Sequence, residues 1–184
     1  VGVLLWANVY SSLNGLAWQI SETVDGGFIV VGGTKDQGSG SIDIILLRTD
    51  SVGGLLWAQT YGGNNTDRGK SVKETDDGGF IVCGWTHSYG SPTKASLRLF
   101  KTDALGNLLW SKKYGEDTYG YSVQQTADKG YIVGGKMVTS TNNPDALLLK
   151  TDSSGTTLWT TTFGDSVVEH IESLIIDCDG GYVM

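Results

Sequence analysis

Apolar and polar residues alternate along this chain in short runs and never at a helical spacing. Near its middle the runs are "KSVKET" (70–75), "FIVCGWT" (80–86), "SLRLFKT" (96–102) and "LLWSKKYG" (108–115). Each is of strand length, rich in β-branched, aromatic or other apolar side chains, and bounded by Asp-Gly or Gly-Asn turns. That pattern predicts four antiparallel strands joined in sequence order. No stretch sustains an i, i+3, i+4, i+7 pattern, so no helix is predicted.

The pattern repeats. "DGGFIVVGGT" at Asp25 returns as "DDGGFIVCGWT" from Asp76, "DKGYIVGGKM" from Asp128 and "DGGYVM" from Asp179. The Asp before the turn glycine falls at Asp25, Asp77, Asp128 and Asp179, in steps of 52, 51 and 51. A second phrase, "RTDSVGGLLWAQTYGG", becomes "KTDALGNLLWSKKYGE" and then "KTDSSGTTLWTTTFGD". It carries Trp57, Trp110 and Trp159, preceded by Trp6 in "VGVLLWANVY", with steps of 51, 53 and 49. A period of about 51 residues gives about 3.6 copies in 184 residues, a spacing typical of solenoids, propellers and arrays.

Four short strands and one Trp per unit describe the four-stranded antiparallel blades of an all-β propeller. Such a blade cannot bury both faces alone and must stack on the next. An aromatic in its fourth strand, as at Trp6, Trp57, Trp110 and Trp159, is suited to the gap between blades, and Trp57, Trp110 and Trp159 are expected to be buried there. The "TD-x-x-G-x-x-L-W" phrase, followed by "YG" and "DGGY-I-V-x-G", resembles the tandem propeller repeats of secreted and cell-surface bacterial and archaeal proteins. It is also similar to the tryptophan-docking motif of quinoprotein propellers, though one residue shorter between Asp and Gly. The resemblance covers the whole chain. It implies a propeller of the quinoprotein-like and WD-repeat-like kind and a place outside the cell or on its surface, but no particular activity.

The blades are expected at 17–62, 69–115 and 121–164, with a further partial blade shared by 1–11 and 170–184. A piece of a larger propeller or array is the favoured reading, because four-bladed rings are uncommon. A ring sealed by strands from both chain ends, and neighbouring molecules that complete each other's blades, remain open. The chain begins without Met, as a strand already in progress, and is expected to be a processed or excised piece.

Composition refines this picture. The 27 Gly and 2 Pro suit many tight turns rather than disorder. A net charge of −7 with no basic run argues against nucleic acid or an anionic membrane as partner. No apolar stretch is long enough for a spanning helix. Cys83 and Cys178 occupy different repeat positions and make no disulfide framework. Asp50, Asp103 and Asp152 of the "TD" phrase are assigned to turn formation through their own backbone.

Candidate chemistry lies in the loops. With strands labelled A to D, the A–B and C–D turns are nearly constant between copies, whereas the D–A and B–C loops differ freely. Turns held by geometry must recur, and loops that do not hold the blade can carry function. On that second face lie Trp18, Trp85, Tyr89, Tyr119 and Tyr121, outside the structural Trp series. Lys70, Tyr121 and Glu172 occupy the position of Trp18, and Gly33 and Lys136 that of Trp85. Asn64, Asn65, Asp67, Arg68, Asp117 and His87 accompany the rings. Aromatic faces beside amides and carboxylates are the materials of a sugar platform; the plainer reading packs these rings on neighbouring loops.

No catalytic set emerges. "GGNNTDRGKS" comes near a phosphate-binding loop but has the wrong spacing and leads into a strand, not a helix. Two histidines, His87 and His170, exclude a multi-histidine metal site within the chain. Calcium at "NNPD" (142–145) has no loop consensus behind it, and Asn64-Asn65-Thr66 is a single glycosylation acceptor. The sequence therefore predicts a non-enzymatic extracellular or cell-surface module for binding or assembly. It needs no cofactor and takes a glycan or protein ligand on the D–A and B–C loop face. Self-association through the incomplete terminal blades is a further expectation. The alternative is part of a propeller enzyme, a glycan hydrolase or lyase or a quinoprotein-type oxidoreductase.

Overall fold

The computed structural model describes residues 6–10, 15–35, 38, 41–90, 92–139, 143–165 and 167–184. Asn142 of the candidate calcium segment, and residues 1–5 and 11 of the partial N-terminal blade, lie outside them. Among the described residues every element is a strand. The first sheet is β1 (Gly15–Glu22), β2 (Phe28–Thr34), β3 (Asp43–Thr49) and β4 (Leu55–Tyr61). The second is β5 (Asp67–Glu74), β6 (Phe80–Thr86), β7 (Ser96–Thr102) and β8 (Leu108–Tyr114). The third is β9 (Thr118–Gln125), β10 (Tyr131–Val138), β11 (Pro144–Thr151) and β12 (Thr157–Phe163), and β13 (Ile175–Ile176) with β14 (Tyr182–Val183) begins another. Each four-stranded sheet is an antiparallel meander in sequence order, as in a propeller blade.

The sheets stack face to face. Ile29, Val31, Ile44 and Leu46 of the first meet Val72, Phe80, Val82 and Phe100 of the second. Ile81, Cys83, Leu97 and Leu99 meet Val123, Tyr131, Val133, Leu147 and Leu149 of the third. Ile132, Ala146 and Leu148 are then covered by Ile171, Leu174, Ile176 and Tyr182. The second sheet is thus buried on both faces, which is why every residue of β7 after Ser96 is buried. First strands neighbour first strands, β1 with β5 and β5 with β9, so they form the inner edge of the stack and β4, β8 and β12 the outer.

The recurring turns have two distinct glycine requirements. The first glycine of "DGG" adopts positive φ at Gly26, Gly78 and Gly180, and Lys129 takes the same conformation in the third sheet with φ 65°. The second needs a missing side chain instead: a Cβ on Gly79 would stand 2.2 Å from the Thr102 carbonyl oxygen. In the C–D turns, Asp50 accepts from the N–H groups of Val52 and Gly54, Asp103 from Leu105 and Asn107, and Asp152 from Ser154 and Thr156.

A cation ties the two turn types together. Arg48, Lys101 and Lys150, each just before "TD", run through the buried sheet and reach Asp25, Asp77 and Asp128 at 2.6, 2.8 and 2.9 Å. The Thr23 hydroxyl, the Gly27 N–H and Arg48 hold the Asp25 carboxyl down at about 2. At Asp77 burial pushes upward, but Lys101, Thr75 and Gly79 overcome it, again to about 2. Thr126, Lys150 and Gly130 do the same for Asp128. Carboxyls depressed in the folded state give stability that is present above their unfolded value of 3.8 and lost as pH falls through about 2. Denaturant midpoints of an Asp77→Asn/Asp128→Asn variant are expected to be lower than the parent's at neutral pH. They should also fall less steeply across that acid window, and a parallel slope in both proteins would count against these ion pairs.

One expectation is corrected. Trp57 and Trp110 do occupy equivalent places between successive sheets, yet both are only partly buried, and Trp159 and Trp6 are 40% and 36% exposed. Trp57, Trp110 and Trp159 sit in outermost strands, so one side of each ring faces solvent. The other side meets an aromatic at the start of the next second strand: Phe28 for Trp6, Phe80 for Trp57, Tyr131 for Trp110 and Tyr182 for Trp159. Trp57 also donates its Nε1–H to the Ala104 carbonyl in the next C–D turn, at 3.2 Å. A tyrosine four residues on completes this latch: Tyr10, Tyr61 and Tyr114 donate to the carbonyls of Gly53, Gly106 and Gly155.

Candidate functional site

Each first strand contains a bulge. Pairing with the second strand skips Trp18 in β1, Lys70 in β5 and Tyr121 in β9. These are the positions at which the copies differ most in chemistry, and a bulge is a common device for re-aiming one side chain. Two residues earlier stand Leu16, Arg68 and Tyr119, paired across to Gly33, Trp85 and Lys136. The inner edge of the stack is thereby dressed with rings and cations.

These side chains form one continuous series across three sheets. The Lys70 ammonium lies 4.8 Å from the centre of the Trp18 ring. The Arg68 guanidinium stands between Trp18 and Trp85, at 5.7 and 5.3 Å. Trp85 meets Tyr119 edge-on at 5.7 Å, and Lys136 lies 4.8 Å from the Tyr119 ring. His87 packs edge-on against Trp85, while Tyr121 touches His170, which pairs with Glu172 at 3.1 Å. Cations over ring faces are attracted by the ring quadrupole, more so where water is excluded.

The charges feel their surroundings. Burial pulls the Lys70 ammonium below its usual value, Glu172 opposing and Arg68 reinforcing that effect. Burial, then Glu172 and Tyr119, push the Tyr121 hydroxyl up to about 12. Tyr119 is raised by burial and by Asp117.

The sequence candidates fall into two groups. Trp18, Arg68, Trp85, His87, Tyr119 and Tyr121 come together in the series just described. Asn64, Asn65, Tyr89 and Asp117 lie in the adjoining loops and Asp67 opens β5, and several of them hold structure. Asp67 is fully buried, accepting from the Gly63 N–H and the Ser88 hydroxyl, with Arg98 at 3.5 Å. Tyr89 donates to the Gly62 carbonyl and places its ring against Arg98. Asn65 bonds to the 87–88 loop and Asn64 is exposed. Asp117, at φ 54°, pairs with Lys94. Lys70, Lys136, His170 and Glu172 belong to the inner series but were not among the candidate site residues. Their signal was positional: they stand at or two residues before the place of Trp18, or at that of Trp85.

Between the first and second sheets the inner edge opens into a cleft of about 280 Å³. Trp18 forms one wall, Leu16 and Ile42 supply apolar surface, and Arg68 and Lys35 provide the charge. The cleft is compatible with Gly33 alone among the residues found at its repeat position, since a Cβ there would meet the Trp18 ring at 2.9 Å.

No protein-family profile and no curated protein matches the sequence. Solved structures do. The WD40 β-propeller domain of Doa1 superposes with a TM-score of 0.56 at 15% identity, over 90% of this chain and 46% of that one. CoXyl43, a GH43 β-xylosidase/α-arabinofuranosidase from a compost microbial metagenome, solved with xylotriose in calcium-free form, gives 0.51 at 9% identity. It covers 82% of this chain and 59% of its own. The fold is therefore that of a β-propeller. The chain spans about half the length of these neighbours, and its described sheets form part of a propeller rather than a closed ring.

Proposed function

We propose that this chain is a non-enzymatic binding module of a propeller protein acting outside the cell or at its surface. Its ligand, a glycan or a protein segment, is seated on the inner cation–aromatic series. The observation that carries this reading is the contrast within each repeat. Groups that build the blade recur in chemistry, as with the turn aspartates and the cations that meet them. The inner-edge groups change from copy to copy, yet converge into one connected surface of half-buried rings and cations. Half-buried aromatics and arginines are the side chains that dominate binding energy when an interface covers them.

The reading is tested by screening glycans and peptides and titrating the hits by tryptophan fluorescence. Trp85→Ala and Trp18→Ala are each expected to weaken binding by roughly 10- to 30-fold, the loss of a hot-spot residue. Asp76→Ala, on the face of the constant turns, should leave affinity unchanged. Binding that survives both tryptophan changes but fails with Asp76→Ala would move the site to the opposite face.

A further inference from the structure

We infer that the cleft between the first and second sheets receives an anionic sugar residue. In this assignment its carboxylate or sulfate group is held by Arg68 and Lys35, and its ring lies beside Trp18. This rests on the proposed binding role and specifies the ligand.

The first observation is unfilled hydrogen-bonding capacity. Arg68 presents five donors, and its Nε is buried with no hydrogen-bond acceptor among the described residues. A buried donor without a partner is costly and unusual. Neither Arg68 nor Lys35 forms an ion pair with a described carboxylate, whereas Arg48, Lys94, Arg98, Lys101, Lys129 and Lys150 all do. In a chain with 20 acidic and 13 basic residues, Arg68 stands between two rings instead of beside an acid.

The second observation is the form of the cleft. The guanidinium stands between Trp18 and Trp85, which limits its freedom to turn. A fixed fork suits the two oxygens of a carboxylate or sulfate. Lys70, on Trp18 as well, adds a further positive charge, and its burial means that a bound anion would relieve a desolvated cation. Among the described residues no carboxylate lines the cleft. Apolar Leu16 and Ile42 with the indole suit the C–H face of a pyranose, and about 280 Å³ suits one sugar ring rather than a folded peptide.

The test is calorimetric titration with an oligogalacturonate, with its carboxyl-reduced neutral counterpart and with a sulfated carrageenan oligosaccharide, inorganic sulfate serving as the bare ion. One or both anionic oligosaccharides should bind, and the neutral counterpart should bind roughly 10- to 100-fold more weakly, the usual worth of a hydrogen bond to a charged group. Arg68→Gln should reproduce that loss with the acidic ligand and cost the neutral one far less. Lys35→Ala, at an exposed position, gives the same comparison in a variant whose folding is not in question. Inorganic sulfate binding as tightly as either oligomer would reduce the site to an ion site and overturn the sugar assignment. Equal affinity for acidic and neutral oligomers, or binding of neutral glycans or peptides only, would overturn the anionic assignment while leaving the binding module intact. Failure of every glycan and peptide would remove both.

Discussion

Arg98→Leu is expected to destabilise the protein by about 3–5 kcal/mol, the cost of stranding one member of a buried ion pair. Arg98 is 2% exposed and Asp67 is fully buried. The guanidinium donates to the Tyr61 carbonyl and the Ser111 hydroxyl, lies against Tyr89 and Phe100, and stands 3.5 Å from Asp67. Asp67 Oδ1 has no hydrogen bond, so Arg98 is its compensation. The third sheet shows how the same corner is built without charge. By strand register, Leu147 replaces Arg98, Thr118 replaces Asp67, and Ser96 stands where the first sheet has Asp43. There the Thr118 hydroxyl bonds to the Tyr114 carbonyl and the Leu97 N–H. The triple variant Asp43→Ser/Asp67→Thr/Arg98→Leu should therefore recover most of the loss. Urea unfolding of the single and triple variants checks both statements; a single variant no less stable than an ordinary surface change would show that the pair contributes nothing.

Phe80→Ala is expected to cost a comparable amount, about 3–5 kcal/mol for emptying an aromatic site in a close-packed core. Phe80 is 1% exposed, wedged between the first and second sheets with the Trp57 ring over it at 5.9 Å. Phe28 holds the same repeat position but is only partly buried beneath Trp6. Phe28→Ala should cost roughly half as much, in proportion to the smaller apolar area withdrawn from water. Trp57→Ala should also fall below Phe80→Ala, because its ring is only partly buried. Equal losses at Phe80 and Phe28 would contradict the stacking order of the sheets.

Strands and turns were legible because their determinants are local. Alternation in "SLRLFKT" and the glycines of "DGGF" act within a few residues, and both recur where the period places them. Contacts across blades span about fifty residues, and no local pattern reports them. Thus Arg68 was readable as a candidate, but its place between Trp18 and Trp85 was not. Asp67 looked like a loop acid fit for a ligand, though it is sealed into the corner with Ser88 and Arg98. The cations before "TD" drew no assignment from the sequence, because nothing nearby in it shows that their stems are buried and end on the aspartate of the neighbouring A–B turn. The tryptophans were placed at the right repeat position but given too much burial. Their strand is the last of each blade, and an outer strand has a partner on one side only.

The latches between blades also set a timetable. Tyr10, Tyr61 and Tyr114 find their carbonyl partners 43, 45 and 41 residues further along, and Trp57 finds its own after 47. On a ribosome delivering the chain from its N-terminus, a blade's last strand emerges well before the turn that will fasten it. Each newly made blade must therefore wait, its outer aromatic uncovered, for nearly one full repeat of further synthesis. Fastening then runs in one direction, each arrival securing its predecessor, in keeping with the nearest-neighbour growth of repeat proteins. A pause in translation late in any repeat would prolong the exposure of one indole and one phenol, and would leave the blades already fastened undisturbed.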